Sequence, residues 1–532
     1  MSSYFPAPDA DDDPLTNAAD EVDMDSRTRL DKTIDKIGMG SYQWTLLCLC
    51  GFGWMADNMW LQAVAIILPR VQQHYSVPDS QIGILSSSMF AGMMIGAVGW
   101  GTGSDLLGRS TAFNATLFFT ALFGILSSFA YSFPSLCLLL FLLGSAVGGS
   151  MPTDGTLLLE HMPQHKLYLV TALSFFFSLG SVLAAVVALI LVPSNSCIST
   201  TVCDPALNNG WRHLLTALGV ITLAMFLARI VFFRLHESPR YLVHAGRPEQ
   251  ALETLQLIAR FNGSSTLAGE LKLADVDDTA VVIDDGVPDG YESIASDPAE
   301  PRSKETRYFA SWAQRWLARF RMVLIPQWRR TTLLVWGAWC GMALAYTMFN
   351  VFLPKLLESD GGGDKSISDS LWDVLVFTLG GCPGALLGAR LILTPLGRRW
   401  SLASSTLVTA GFCILFIFAQ SAGSVWATRI SAIGIGLAST TMWAVLYGWT
   451  PEIFATQVRG TACGIASALS RVGGIIAPLI GGLLLLFSRA APVYASMLVF
   501  VIAAVCVLGL AEDEGEGGKA KGGHTRGAGL MH

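Results

Sequence analysis

The chain has 532 residues, 52% of them hydrophobic and only 14% charged, with a mean hydropathy of +0.51. That balance excludes an ordinary soluble domain and describes a polytopic membrane protein. The formal net charge of −6 collects in the tails and in the middle segment "DVDDTAVVIDDGVPDGYE", which reads as solvated linker and gives no clue to a partner.

In chain order, residues 1–42 are predicted to be an acidic cytoplasmic tail ("DADDDP", "DEVDMD") without a cleavable signal peptide, so that the first span is itself the anchor. Crossing about 30 Å of hydrocarbon takes about 20 apolar residues. About twelve such runs follow, near 43–68, 81–103, 112–131, 135–157, 168–192, 212–233, 331–353, 371–393, 401–420, 428–449, 461–486 and 491–510. They group into an N-terminal six-helix bundle (43–233), a partly disordered cytoplasmic middle loop (234–330) and a C-terminal six-helix bundle (331–510), with a cytoplasmic tail over 511–532. Cations set the orientation. Arg29, Lys36, Arg109, Arg398, Arg399, Arg459 and the many in the middle loop fall on one side, against Arg70, Lys355, Lys365 and Arg489 on the other. Both termini are therefore expected in the cytoplasm, with the plasma membrane as the expected site and an internal membrane as the alternative.

The two sets of spans carry an internal repeat. "DLLGRS" after the second span echoes in "TPLGRRW" after the eighth, with Arg109 and Arg398 separated by 289 positions; "LLLEHMP" after the fourth echoes in "GWTPEIF" after the tenth, with Glu160 and Glu452 separated by 292. Two landmarks with nearly one offset indicate a duplicated six-span unit around a central cavity.

Within the spans, charges are informative because one at the bilayer centre costs about 2.5–3.5 kcal/mol on insertion scales. Three are expected deep: Asp57 in the first span, Asp154 in the fourth and Arg471 in the eleventh. The two aspartates are candidates for proton carriers or contacts to a polar substrate, since desolvation favours the neutral form of a carboxyl. The alternative is a structural ion pair with Arg471, whose planar fork would also suit a substrate carboxylate. Tyr346 and Asn350, four apart on the seventh span, and Trp443 and Tyr447, four apart on the tenth, each share a helix face, as either packing or cavity lining. No "GxxxxGK[ST]" phosphate loop occurs and no His set lies within the membrane, so neither ATP hydrolysis nor a haem or zinc centre is expected; the chain reads as no enzyme, with no cofactor, no metal and no nucleic-acid partner.

"GTGSDLLGR", with Gly101, Asp105, Gly108 and Arg109, resembles the loop signature of the major facilitator superfamily, although Ser110 stands where a second Arg or Lys is usual. "HESPRYL", with Glu237 and Arg240, is similar to the sugar-porter signature after the sixth span. "GFGWMAD", "GGSMPTDGTLLLEHMP" and "TPEIFATQVRGTACGIASALSRVGGIIAP" look most like the synaptic-vesicle-transporter and niacin-permease group, including its fungal members.

The resemblance implies an all-α membrane protein of about twelve transmembrane helices in two pseudo-symmetric bundles, the major facilitator fold. In that fold the first, fourth, seventh and tenth spans line the cavity. Asp105 would meet the start of the eleventh span and latch the cytoplasmic side, Gly101 and Gly108 would permit close approach and a tight turn, and Arg109 would pair with Glu160 or with helix-end carbonyls. Glu237, Arg240, Arg398, Glu452 and Arg459 would complete this gate.

The expected function is proton-coupled secondary transport of a small polar organic solute, tilted toward a small, aromatic or pyridine-type carboxylate, by a monomer in the lipid bilayer. A sugar, polyol or organic-cation carrier and a non-transporting sensor on the same scaffold are the alternatives. "GAWCGMALAYTMFNVFLP" lacks the glutamine pair of sugar porters and tells against hexoses. Cys197 and Cys203, the two cysteines outside the spans, are expected to form a disulfide on the oxidising side or to remain free thiols.

Overall fold

The computed structural model describes residues 28–163, 165–166, 169, 173–197, 207–231, 235–276, 321, 324, 326–358, 366–392, 394, 396–454 and 456–510. Twelve of its helices are long. They are α2 (Ser41–Tyr75), α3 (Asp79–Leu107), α4 (Arg109–Ser127), α5 (Phe133–His161), α6 (Leu173–Leu191), α7 (Gly210–Val231), α11 (Pro326–Leu357), α12 (Ile367–Leu391), α13 (Gly397–Ser421), α14 (Val425–Ile453), α15 (Thr456–Leu484) and α16 (Ala491–Leu508). Among the described residues, eleven helices are long and apolar enough to cross a membrane. The twelfth long helix is α2, 35 residues with Asp57, Asn58 and Gln62 in its middle. Successive spans alternate in direction, so residues 28 and 510 lie at one end of the molecule, here the near end. The connections after Tyr75, Ser127, Leu191, Leu357, Ser421 and Leu484 lie at the far end.

Packing between helices in hydrocarbon relies on small residues that let backbones touch. Gly92 and Gly96 of α3 lie against the carbonyls of Phe141 and Ser145 on α5, so that a Cβ at either would collide with main chain. Gly380 and Gly384 of α12 lie in the same way against the carbonyls of Ile433 and Leu437 on α14. Each glycine of the first pair is 288 positions from its counterpart in the second, the repeat offset recurring as a packing device.

The near end carries structure where the sequence suggests tail and linker. Helix α1 (Arg29–Ile37) packs on α8 (Pro239–His244), α9 (Pro248–Phe261) and residues 271–276, which follow α10 (Ser265–Glu270) in the middle loop. Leu30 and Ile34 are buried among Leu242, Ala251, Leu255, Leu271 and Val276. Arg240 pairs with Asp31 at 2.8 Å, and the Thr33 hydroxyl donates to the Asp275 carbonyl at 2.9 Å. Parts of the acidic tail over 1–42 and of the loop over 234–330, expected to be partly disordered, are thus ordered and packed on each other. The reason is amphipathicity: "RLDKTIDKI" and "PEQALETLQLIARF" each offer one apolar stripe, and the two stripes cover each other.

Candidate transport cavity and gates

A cavity of about 180 Å³ lies between the two bundles, lined by side chains of both. Five residues expected in the pathway face it: Tyr346 and Asn350 from α11, Trp443 and Tyr447 from α14, and Arg471 from α15. The aromatic residues form one group. Trp443 lies 6.1 Å from the ring of Tyr346 and 5.9 Å from that of Tyr447, and Trp339 meets Tyr447 edge-on at 4.8 Å.

Among the described residues that line the cavity, Arg471 is the one with a charge, and no carboxylate pairs with it. Its Nη1 donates to the Ser467 hydroxyl at 2.6 Å, while its Nε is buried with no hydrogen-bond partner. Other polar atoms in the wall are equally unsatisfied: Trp54 Nε1, Gln62 Nε2, Ser86 Oγ and Asn350 Oδ1. Buried polar groups are normally bonded, and this wall holds donors at Arg471 Nε, Trp54 Nε1, Gln62 Nε2 and Ser86 Oγ and an acceptor at Asn350 Oδ1 that no protein group engages.

Sequence reasoning passed over the wall formed by α2. Trp54, Asn58 and Gln62 recur every four residues on one helix face and line the cavity. That signal was readable, but Asp57 drew attention to the neighbouring face.

The two aspartates are not among the residues that line the cavity. Asp154 pairs with Arg229 of α7 at 2.8 Å, both side chains wholly buried within the N-terminal bundle. The same guanidinium donates to the carbonyls of Leu49, at 2.9 Å, and Phe113, at 2.5 Å, and lies 3.6 Å over the Phe113 ring. Gly53 makes room: a Cβ there would strike the Asp154 carboxylate and Arg229. Arg229 is a fourth deep charge that the sequence reading overlooked because it lies near the end of its span. Asp57 is likewise buried, Oδ1 accepting from the Ser150 hydroxyl at 2.5 Å and Oδ2 having no hydrogen-bond partner.

At the near end, the landmark residues of the repeat pair within their own halves. Arg109 meets Glu160 at 3.5 Å, and Arg398 meets Glu452 at 2.5 Å. Glu237 accepts from the backbone N–H groups of Arg109, at 2.8 Å, and Ser110, at 3.2 Å, an acidic cap on the start of α4. Gly108 turns the chain there with φ +98°, whereas no described atom lies within 4 Å of a Cβ built on Gly101, so the close approach expected of Gly101 is not found. The side chains of Asp105 and Arg459 lie outside the described residues, and with them the expected latch. Cys197 is disulfide-bonded; Cys203 lies outside the described residues.

At the far end the halves meet. Arg70 of α2 pairs with Glu358, and Lys355 of α11 pairs with Asp79 of α3. Gly83 of α3 abuts the backbone of Pro478 on α15.

Twelve long helices in two repeated bundles, with a cavity between them and contacts that join the two halves at the far end, define a membrane carrier. A sequence model of the Major Facilitator Superfamily matches residues 44–392 and 366–530, and the chain belongs to that family. It is 34% identical, over 87% of its length and 86% of the relative's, to "MFS siderochrome iron transporter 1" of Ceriporiopsis subvermispora. It is 32% identical to "Major facilitator-type transporter hxnZ" of Emericella nidulans, over 89% of this chain and 84% of that one. The "Synaptic vesicle 2-related protein" of Bos taurus is 28% identical over 93% and 82%. Among solved structures, the xylose transporter XylE from E. coli, in a partially occluded inward open conformation, superposes with a TM-score of 0.62 at 15% identity, covering 87% of this chain and 98% of that one. The chain is thus a transporter and not an enzyme.

Proposed function

We propose that the chain carries a small organic anion with a planar or aromatic body, by alternating access coupled to protons, across the plasma membrane as a monomer with both termini in the cytoplasm. One observation carries the substrate class: Arg471 is the charged residue of the described wall, with no carboxylate in ion-pair contact, in a cavity that Tyr346, Trp443 and Tyr447 also line. Its fork matches a carboxylate, and the free donors of Trp54 and Gln62 on the opposite bundle match further acceptors. An organic cation would find no carboxylate among the described lining residues, since Asp57 is held by Ser150 and Asp154 by Arg229. The relatives' names cover different solutes, so the substrate class rests on the cavity and not on them.

Proton coupling in this reading rests on Asp57, beside the cavity residue Asn58, with one oxygen held by Ser150 and the other unpartnered. A group that changes charge between the two facing states is what coupling requires. The partner of Cys197 in this reading is Cys203. Intact-mass analysis after alkylation without reduction should then find neither labelled.

The test is uptake into proteoliposomes under an imposed pH gradient, with aromatic acids, their amides and matched amines. Acids should accumulate and amides should not; transport of amines in preference to acids would reject the reading.

A further inference from the structure

Two contacts at the far end join one half of the transporter to the other through charge. Arg70, its side chain 4% exposed, pairs with Glu358, 21% exposed. Lys355, one helical turn before Glu358, pairs with Asp79, and Gln72 joins that pair, accepting from Lys355 Nζ at 2.7 Å and donating to Asp79 Oδ1 at 2.5 Å. Arg70 is itself seated by its own half: its Nη1 donates to the Cys197 carbonyl at 3.5 Å, and its carbonyl accepts from Asn208 Nδ2 at 2.9 Å.

The polarity of the two pairs is crossed. The N-terminal half gives the cation to one and the anion to the other, and the C-terminal half does the reverse. Each separated face therefore carries no net charge from these four groups, so attraction between the faces is weak at a distance and strong on contact. Crossing also specifies register. If α11 slid by one turn along α2 and α3, Lys355 would come to oppose Arg70, like charge against like, so the pairs reject that misalignment as well as favouring the observed one. The near-end pairs differ, because Arg109–Glu160 and Arg398–Glu452 each lie inside one half and need not break when the halves part.

We propose that Arg70–Glu358 and Lys355–Asp79 are the lock of the far-end gate: they hold the cavity shut on that side, fix the register in which the halves close, and both break when the cavity opens there. The lock does not depend on what the cavity carries, and its test needs no substrate.

The experiment uses the full-length protein in nanodiscs with spin labels on Tyr131→Cys and Phe487→Cys, two exposed far-end positions in opposite halves, and with Cys48→Ser removing an exposed native thiol. The distance between labels reports the far end. Glu358→Gln should raise the ratio of open to closed populations about fivefold, as loss of one partly buried pair would. Asp79→Lys, which sets two cations together, should raise it at least as much. Adding Lys355→Asp to Asp79→Lys should bring the parent distribution back. Both sites are partly exposed, and Glu358→Asp, which keeps the charge, controls for damage to the fold and should stay closed. Unchanged distances in Glu358→Gln and in Asp79→Lys would overturn the lock, and a double reversal no better than Asp79→Lys alone would overturn the pairing that defines it.

Discussion

Arg229 and Asp154 form an ion pair with no solvent exposure at 2.8 Å, and through it the carbonyls of Leu49 and Phe113 are held as well. One guanidinium thus fastens α2, α4, α5 and α7 together. Removing one partner strands the other in a low dielectric, which costs about 3–5 kcal/mol. Arg229→Gln or Asp154→Asn should therefore lower the melting temperature in detergent by several degrees or abolish expression. Any protein that survives should still respond to a pH gradient. Loss of coupling with unchanged stability in Asp154→Asn would instead make that aspartate a proton carrier.

Asp57→Asn should behave in the opposite way. Its carboxylate makes one hydrogen bond, to Ser150, and an amide oxygen can accept that bond equally well. Folding should hold within about 1 kcal/mol, while accumulation against a gradient disappears and downhill exchange persists. Proteoliposomes with and without an imposed pH gradient separate these outcomes, and gradient-driven accumulation in the variant would exclude Asp57 as the coupling group.

Arg471→Gln should weaken binding of a carboxylate substrate by about 10- to 100-fold, because a charge-assisted bond to such a group contributes about 1.5–3 kcal/mol. The same change should barely alter binding of the corresponding amide. Competition against a labelled acid measures both. Equal losses for acid and amide would point to a collapsed wall and not to a lost charge partner.

Glu237→Gln should reduce stability by about 1 kcal/mol, since the neutral amide still accepts from Arg109 and Ser110 but no longer complements the positive end of α4. Thermal unfolding at low and high salt would show it: the difference between the two proteins should shrink as salt rises. A difference independent of salt would mean that packing, not charge, is what Glu237 supplies.

Much of this was readable before any coordinates. Eleven of the twelve long helices are plain apolar runs, and the repeat offset that links Arg109 to Arg398 and Glu160 to Glu452 is matched by an Arg–Glu pair in each half. Helix faces were harder. Tyr346, Asn350, Trp443 and Tyr447 were paired by spacing and line the cavity together, but Asp57 sits one residue, about 100° of rotation, from the lining residue Asn58. Rotation of a helix about its own axis is set by its neighbours, and hydropathy does not report it. The far-end pairs were hidden for a different reason: Arg70 and Glu358 are 288 positions apart, and no local pattern encodes a contact between two halves that are joined only through the middle loop.

The clasp of α1 onto α8, α9 and residues 271–276 has a consequence for how the chain could be cut. A segment from before the first span and one from after the sixth close on each other, through Leu30 and Ile34 against Leu242 and Leu255 and through Asp31 and Arg240. Among the described residues, this closure draws on the chain's own sequence up to residue 276. Expressed as two polypeptides, 1–276 and 277–532, the transporter should reassemble in the membrane and regain uptake. Deleting 28–37 from the first fragment should cost it that closure, visible as loss of the fragment when expressed alone.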